Sequence, residues 1–294
     1  MRPGIMAMQI GALIPTGVAD LRDHAAHFDH VGLIRLLHGH GFNPVELGGD
    51  LCLFIPHAFA AETIAGLLAL KQEIGVTYTV HLPLWSVEPS TPLAPVRLGS
   101  VQALSEIVQA TAPLAPEVYV LHATGALAAE FYQMRLPPAA KETLLRTFQA
   151  GARASIRQLL ADTGLASRKL AIETIEFPFE LTWELAEELD LSICLDTGHV
   201  LSGFPGRLDL FAVLEQVLPR LAEIHLHDSP QWTPGAAIRY GLDHQVLGKG
   251  DLDVTRLFRR LDEAGWNGPV IFELTVEEAL ASRQVLWDAV RKGR

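Results

Sequence analysis

Val118–His122 reads VYVLH and Leu170–Thr174 reads LAIET. Both are short, nearly unbroken apolar runs, and each carries one ligand-capable side chain near its end, His122 and Glu173. A strand covered on one face alternates apolar with polar residues, whereas a strand covered on both faces does not. These runs are therefore expected to be strands of a parallel sheet. Between them, Ala139–Leu160 has apolar residues at helical spacing. The stretch from 118 to 174 thus contains a strand, a helix and a second strand.

The same order extends outward in both directions. Further strands are expected at Met8–Ile14, Pro44–Leu47, Val76–Leu82, Leu191–Asp196, Ala222–His227 and Pro269–Leu274. Helices are expected over Ala60–Ile74, Ser100–Ala110 and Val254–Ala264, with Gly75 and Gly265 placed to end two of them. Eight strands alternating with helices close most naturally into an α/β, (β/α)₈ TIM barrel. The 294 residues suit one barrel, and no linker or repeat divides them, so a single domain over 1–294 is expected. The alternative is a doubly wound open sheet, but no Gly-x-Gly-x-x-Gly follows the first strand.

Composition narrows the partners. With 49% hydrophobic and 19% charged residues, the chain can bury a large core and is not disordered. A net charge of −11 without a Lys/Arg-rich stretch repels a polyanion, so no nucleic-acid partner is expected. No apolar run reaches the roughly 18 residues of a membrane helix, and Met1–Met8 has no signal-peptide core. The expectation is a cytoplasmic protein, monomer or homodimer, with a small-molecule substrate. Cys52 and Cys194 stand in separate apolar segments and are expected to be reduced core thiols.

The placement of His, Asp and Glu carries the chemistry. His81 closes the third strand and His122 the fourth; Glu173 closes the fifth. Asp196 closes the sixth, with His199 three residues on. His225 and Asp228 close the seventh, His244 lies in the following loop, and Glu273 closes the eighth. In a parallel barrel these ends meet at one rim. One histidine at a strand end is ordinarily a hydrogen-bonded structural residue. Six successive strands ending in imidazole or carboxylate groups are hard to explain by packing, and these groups are what zinc, manganese or iron ions bind.

The series Asp196-Thr197-Gly198-His199, His225-Leu226-His227-Asp228-Ser229, His244 with Gly248-Lys249-Gly250, and Phe272-Glu273 resembles the xylose-isomerase-like TIM-barrel superfamily, which includes endonuclease IV and sugar epimerases. The resemblance implies two chemistries. Epimerases and isomerases of the group hold one metal with two Glu, one Asp and one His, matched here by Glu173, Asp196, His225 and Glu273. The endonuclease IV branch adds histidines matched by His81, His122, His199 and His244, and holds two or three ions. That branch has Asp two residues before its last His; here position 242 is Leu, and Asp243 is adjacent to His244.

Phosphodiester cleavage needs an activated water and charge stabilisation on both attacking and leaving oxygens, which paired ions provide. Proton transfer beside a carbonyl needs one Lewis acid and one or two bases. The ligand-rich set favours a metal-dependent phosphodiesterase, with Glu173 and Glu273 as catalytic carboxylates. The alternative is a sugar or inositol-type isomerase or epimerase. Within the superfamily the chain looks like the cobamide-remodelling phosphodiesterases, which cut the nucleotide loop of vitamin B12-type cobamides.

Two long loops, Pro83–Val96 and Ser229–Asp243, are expected as lids, with Trp85 and Trp232 toward a bulky ligand. Lys249 and Arg239 are candidate phosphate partners or simply solvated. Glu46 is either a pocket residue or half of a structural charge pair. Asp228 either ligates a metal or orients a ligand histidine. His227 is expected to point away from His225. His24, His27 and His30 are expected on a solvated helix face.

Overall fold

The computed structural model describes residues 1–17, 20–233 and 241–292. Eight parallel strands form a closed barrel in sequence order: β1 Arg2–Met6, β2 Val45–Gly48, β3 Tyr78–His81, β4 Tyr119–Leu121, β5 Leu170–Glu173, β6 Ser192–Asp196, β7 Leu221–His225 and β8 Pro269–Phe272. β1 closes the ring against β8, with Pro3 opposite Val270. Helices connect the strands on the outside. Among the described residues no helix is long and apolar enough to cross a membrane.

Seven of the strands lie where the apolar runs place them. The first does not: Ile10–Leu13, inside the expected strand Met8–Ile14, is a short helix, and the strand is the preceding RPGIM. Proline and glycine argue locally against a strand. Here a Cβ at Gly4 would run into the Pro44 carbonyl and the Ile271 side chain, so the close approach of neighbouring strands requires glycine. The Pro3 carbonyl accepts from Asn43 N at 2.9 Å.

The helices Ala61–Ile74 and Pro138–Thr163 end at Gly75 (φ 74°) and Gly164 (φ 66°), left-handed caps that glycine adopts without strain. Val254–Glu263 is helical as expected. The helix expected at Ser100–Ala110 runs Ala94–Thr111, with proline in its first turn.

Strand alternation sorts the side chains. Val45, Leu47, Tyr78, Val80, Leu121, Ile172, Leu195, Ile224 and Phe272 belong to the main apolar core with the helices. Val120, Ala171 and Cys194 form a separate small cluster. Residues two apart on a strand share a face, so Glu173 follows Ala171, Asp196 follows Cys194, and His225 follows Glu223 into the barrel lumen. Ala171 and Cys194 leave room for Glu173 and Asp196 above them. Cys194 is the buried thiol expected, but Cys52 is exposed. The short 3₁₀ turn Gly49–Leu53 turns Leu51 inward and leaves Cys52 outside.

The His24–His30 stretch is not one solvated face. The helix Leu21–Ala26 stops, and a new one, His30–Gly39, starts from an Asp29 cap. His30 is thereby buried, its Nδ1 3.2 Å from the Ala58 carbonyl, and burial pushes its pKa down to about 4.

Candidate metal centre

Glu173, at the end of β5, is the hub of the barrel mouth. Its Oε2 lies 3.1 Å from His81 Nε2 and 2.9 Å from His122 Nε2; its Oε1 lies 3.3 Å from His225 Nδ1 and 3.4 Å from His199 Nδ1. Two ligand groups therefore share this carboxylate: His81–His122–Glu173, and Glu173–Asp196–His225–Glu273. In the second group His225 Nδ1 also lies 3.5 Å from Glu273 Oε1 and 3.9 Å from Asp196 Oδ2. The register opposes Asp196 to His225 across the β6–β7 pair.

A third group, His199–His227–His244, adjoins the first two. His199 sits on the helix Thr197–Ser202, which Asp196 caps by accepting from His199 N at 2.7 Å. His227 is fully buried, its Nε2 is 2.8 Å from Asp196 Oδ2, and its ring stacks on His244 with centroids 4.1 Å apart. It does not point away from His225, because i and i+2 share a face and the chain continues extended past the end of β7. A Cβ at position 198 would strike the His227 ring, so Gly198 is what lets the helix come this close.

Leu242 is partly exposed, whereas the neighbouring Asp243 is buried, with its Oδ2 2.8 Å from His244 Nδ1 and 3.7 Å from His199 Nε2. Position 242 thus offers no carboxylate to the mouth, and Asp243 is a buried partner of His199 and His244.

The electrostatics fit cations. Burial opposes charge on His81, but Glu173 raises its pKa to about 9. Burial likewise opposes charge on His199 and His244, yet Asp196 and Glu173 lift the first to about 10, and Asp243 and Glu273 lift the second to about 11. Burial would raise Asp243, but His244 holds it down at about 2. Burial also opposes the charge on Glu173 and Glu273, and the surrounding histidines hold both below the ordinary carboxylate range. His225 is buried with both ring nitrogens lacking a hydrogen-bond partner, although three carboxylates face Nδ1. His227 Nδ1 meets the Asp243 carbonyl. If that nitrogen carries the proton, Nε2 and Asp196 Oδ2 are two acceptors face to face, which needs a proton or metal ion between them. The donor set of imidazoles and carboxylates suits a divalent ion.

Two clefts flank these groups. One of about 960 Å³ is lined by His122, His199, Asp243, His244 and Trp85. The other, of about 310 Å³, is lined by His81, His244, Glu273 and apolar residues including Met6, Met8 and Ile10. The loop after β3 is tied down: Asp50 Oδ2 accepts from Leu84 N and Trp85 N at 2.7 and 3.2 Å, and Glu88 accepts from Gly125 N and Leu127 N at 3.0 and 2.9 Å.

Several expected binding residues lie elsewhere. Glu46 lines neither cleft; it is fully buried, 3.3 Å from His225 Nε2, because alternation along β2 turns it into the lumen. Glu223, which the sequence reading passed over, lies beside it; the signal was its place two residues before His225. Lys249 is exposed and lines neither cleft. Trp232 packs over Gly203 and donates Nε1 to the Leu208 carbonyl at 3.1 Å, also away from both clefts. Arg239 lies outside the described residues. Asp228 is a structural clasp: it accepts from Ser229 N and Leu252 N at 2.9 Å and from Gly248 N at 2.7 Å. Its two oxygens are engaged by backbone amides, and among the described residues it belongs to none of the groups that could hold an ion.

Residues 34–289 match the family described as Xylose isomerase-like TIM barrel. The chain belongs to that family. A D-tagatose 3-epimerase-like protein superposes with a TM-score of 0.73 at 16% identity, covering 100% of this chain and 98% of that one. Endonuclease IV from Thermus thermophilus superposes with a TM-score of 0.65 at 17% identity, covering 99% and 100%. Inosose dehydratase of Klebsiella pneumoniae is 29% identical over 99 residues, 31% of this chain and 33% of that protein. Family membership brings enzymes of several reaction types into view, and the structural likenesses at such identities speak for the fold.

Proposed function

We propose that this member of the xylose isomerase-like family is a divalent-metal-dependent phosphodiesterase acting on a small molecule. One observation carries this reading: the third group, His199–His227–His244, stands beside the two groups joined through Glu173. A single-ion proton-transfer site needs only Glu173, Asp196, His225 and Glu273. The further histidines favour two or three zinc, manganese or iron ions.

His81, His122 and Glu173 would hold one ion, Glu173, Asp196, His225 and Glu273 a second, and His199, His227 and His244 a third. When bound, such ions supply Lewis acidity and an activated water for in-line displacement at phosphorus. The protein does the rest. Glu173 would be taken up by both inner groups, which leaves Glu273, 14% exposed and lining one cleft, as the carboxylate placed to accept a proton. His244, whose side chain is 42% exposed, borders both clefts, so the third group lies where substrate would enter. The two clefts fit the two halves of a phosphodiester, and a bulky, partly apolar diester of the cobamide kind is the substrate we propose.

A second reading, a sugar or inositol-type isomerase or epimerase, is favoured by the same four-residue group, in which two glutamates flank one His and one Asp. Elemental analysis of protein purified without chelator or affinity tag separates the two. Two or three ions per chain, followed by cleavage of a cobamide to phosphorylated cobinamide and α-riboside, supports the first. One ion, with solvent exchange of a substrate C–H proton and no diester cleavage, replaces it with the second.

A further inference from the structure

Beneath the mouth of the barrel lies a second polar layer. Glu46 on β2, Thr79 on β3 and Glu223 and His225 on β7 are all fully buried. Both oxygens of Glu46, Oε2 of Glu223 and both nitrogens of His225 lack a hydrogen-bond partner. Unpaired buried carboxylates are costly. Among the described residues, His225 is the ion-pair partner within reach of Glu46, at 3.3 Å from Nε2. Glu223 Oε1 is farther, at 3.8 Å, and already accepts from Thr79 Oγ1 at 3.2 Å.

The two edges of the His225 ring thus face different chemistry. Nδ1 looks up at Glu173, Asp196 and Glu273, at 3.3 to 3.9 Å. Nε2 looks down at Glu46. A neutral imidazole carries one proton, and the nitrogen that binds a metal must be the other one. A carboxylate under Nε2 draws the proton to that side.

We infer that Glu46 is a positioning residue: when an ion is held with Glu173, Asp196 and Glu273, the 3.3 Å approach of Glu46 to His225 Nε2 becomes a hydrogen bond in which Glu46 accepts the Nε2 proton and the Nδ1 lone pair is presented to the ion. This rests on the reading of the mouth as a metal centre, common to the phosphodiesterase and the isomerase. Glu46 neither lines a cleft nor touches the reacting atoms. It fixes the tautomer and tilt of the ring and raises the basicity of the ligating nitrogen, as carboxylates behind metal-bound histidines do. Glu223 lies beside Glu46 and is itself held by Thr79 Oγ1 at 3.2 Å.

The test uses the whole chain and zinc as the probe. In zinc-saturated wild-type protein with ¹⁵N-labelled histidine, His225 is expected to show Nε2 protonated and Nδ1 ligated. Its N–H proton should be shifted downfield, as in a hydrogen bond to carboxylate. Glu46→Gln should move that proton upfield and weaken zinc binding at one ion of the set by roughly 10–100-fold in chelator competition, with stoichiometry at saturating zinc unchanged. Glu46→Asp should recover part of the affinity.

The inference is overturned if the proton sits on Nδ1, or if both nitrogens are ligated because an ion occupies Glu46–Glu223–His225. Zinc binding by Glu46→Gln equal to wild type also overturns it. Should that variant fail to fold, the wild-type spectrum decides alone. A wild type that binds no zinc, manganese or iron removes the metal-centre reading itself, a result distinct from an unaffected variant.

Discussion

The mouth of the barrel holds two kinds of ligand group. The inner ones, built around Glu173, stand at or directly after strand ends, and their spacing follows from the sheet. The outer one is assembled from what comes after strands: His199 on a short helix, His227 past the end of β7, and His244 on a loop. Strand ends are positioned by ladder hydrogen bonds and two-sided packing, so the inner groups are rigid by construction. The outer group depends on individual contacts, such as Asp196 capping the helix at His199 and Asp243 holding His244. On the proposed reading the inner carboxylate–histidine set would serve either reaction type, and the outer one would separate them.

The largest effect should come from the hub. Glu173→Ala should remove the ions of both inner groups and cost activity on the order of 10³-fold or more, the scale of losing one transition-state stabilising group. Circular dichroism should show the barrel intact. Full metal content and activity in this variant would end the distinction between inner and outer groups.

A smaller loss is expected from the outer group. His227→Ala should release one ion and lower diester cleavage by roughly 10–100-fold. If metal content and turnover stay unchanged, His227 is a packing residue and the third group has no role in catalysis.

Protonation sharpens the comparison. In the metal-free protein His81, His199 and His244 have pKa values raised to about 9, 10 and 11, so near pH 7 they carry protons that ligation must displace. Titration calorimetry in buffers of different ionisation enthalpy should show release of more than one proton per chain, and zinc affinity should rise with pH. These folded values lie above the unfolded value of about 6.5. Their contribution to stability is therefore complete below about pH 6.5 and lost as pH rises through 9 to 11. Denaturant titrations of chelator-treated protein should show this decline; stability rising over that range would reverse the assignment.

Asp228 lies between these regions and serves neither as ligand. Asp228→Ala frees three backbone amides and should cost about 3 kcal/mol in urea unfolding, a typical loss for hydrogen bonds to a charged acceptor. The inner ions should remain. The smallest effect is expected at Lys249, exposed and outside both clefts: alanine there should change stability by less than about 0.5 kcal/mol and leave the Michaelis constant unmoved. A large rise in that constant would show that the loop delivers Lys249 to substrate.

How far the site was legible follows from the same division. His81, Glu173, Asp196, His225 and Glu273 stand at or just past strand ends visible as apolar runs, so their convergence follows once the barrel is drawn. His122, His199 and His244 came from the family resemblance as well as from position. Glu223 was passed over and His227 was expected to point away, although strand alternation places both on the face of His225. For Glu46 the sequence left open a pocket residue or half of a charge pair, because the end of a short strand does not show which residues top the lumen; the structure pairs it with His225 one layer down. The first strand was missed because Pro3 and Gly4 argue locally against the conformation that close contact with Pro44 and Ile271 requires.

By itself the sequence determined the repeating strand–helix order, the closed barrel and the series of ligand side chains at its rim. Alternation and helical period are local, and a closed sheet carries them around the ring without further information. Tertiary structure alone decided that Asp243 is buried against His199 and His244, that Asp228 is a clasp, and that Glu46 lies beneath His225. Those outcomes depend on distances between segments far apart in the chain, set by how loops fold back on the barrel and by which buried charge finds a partner.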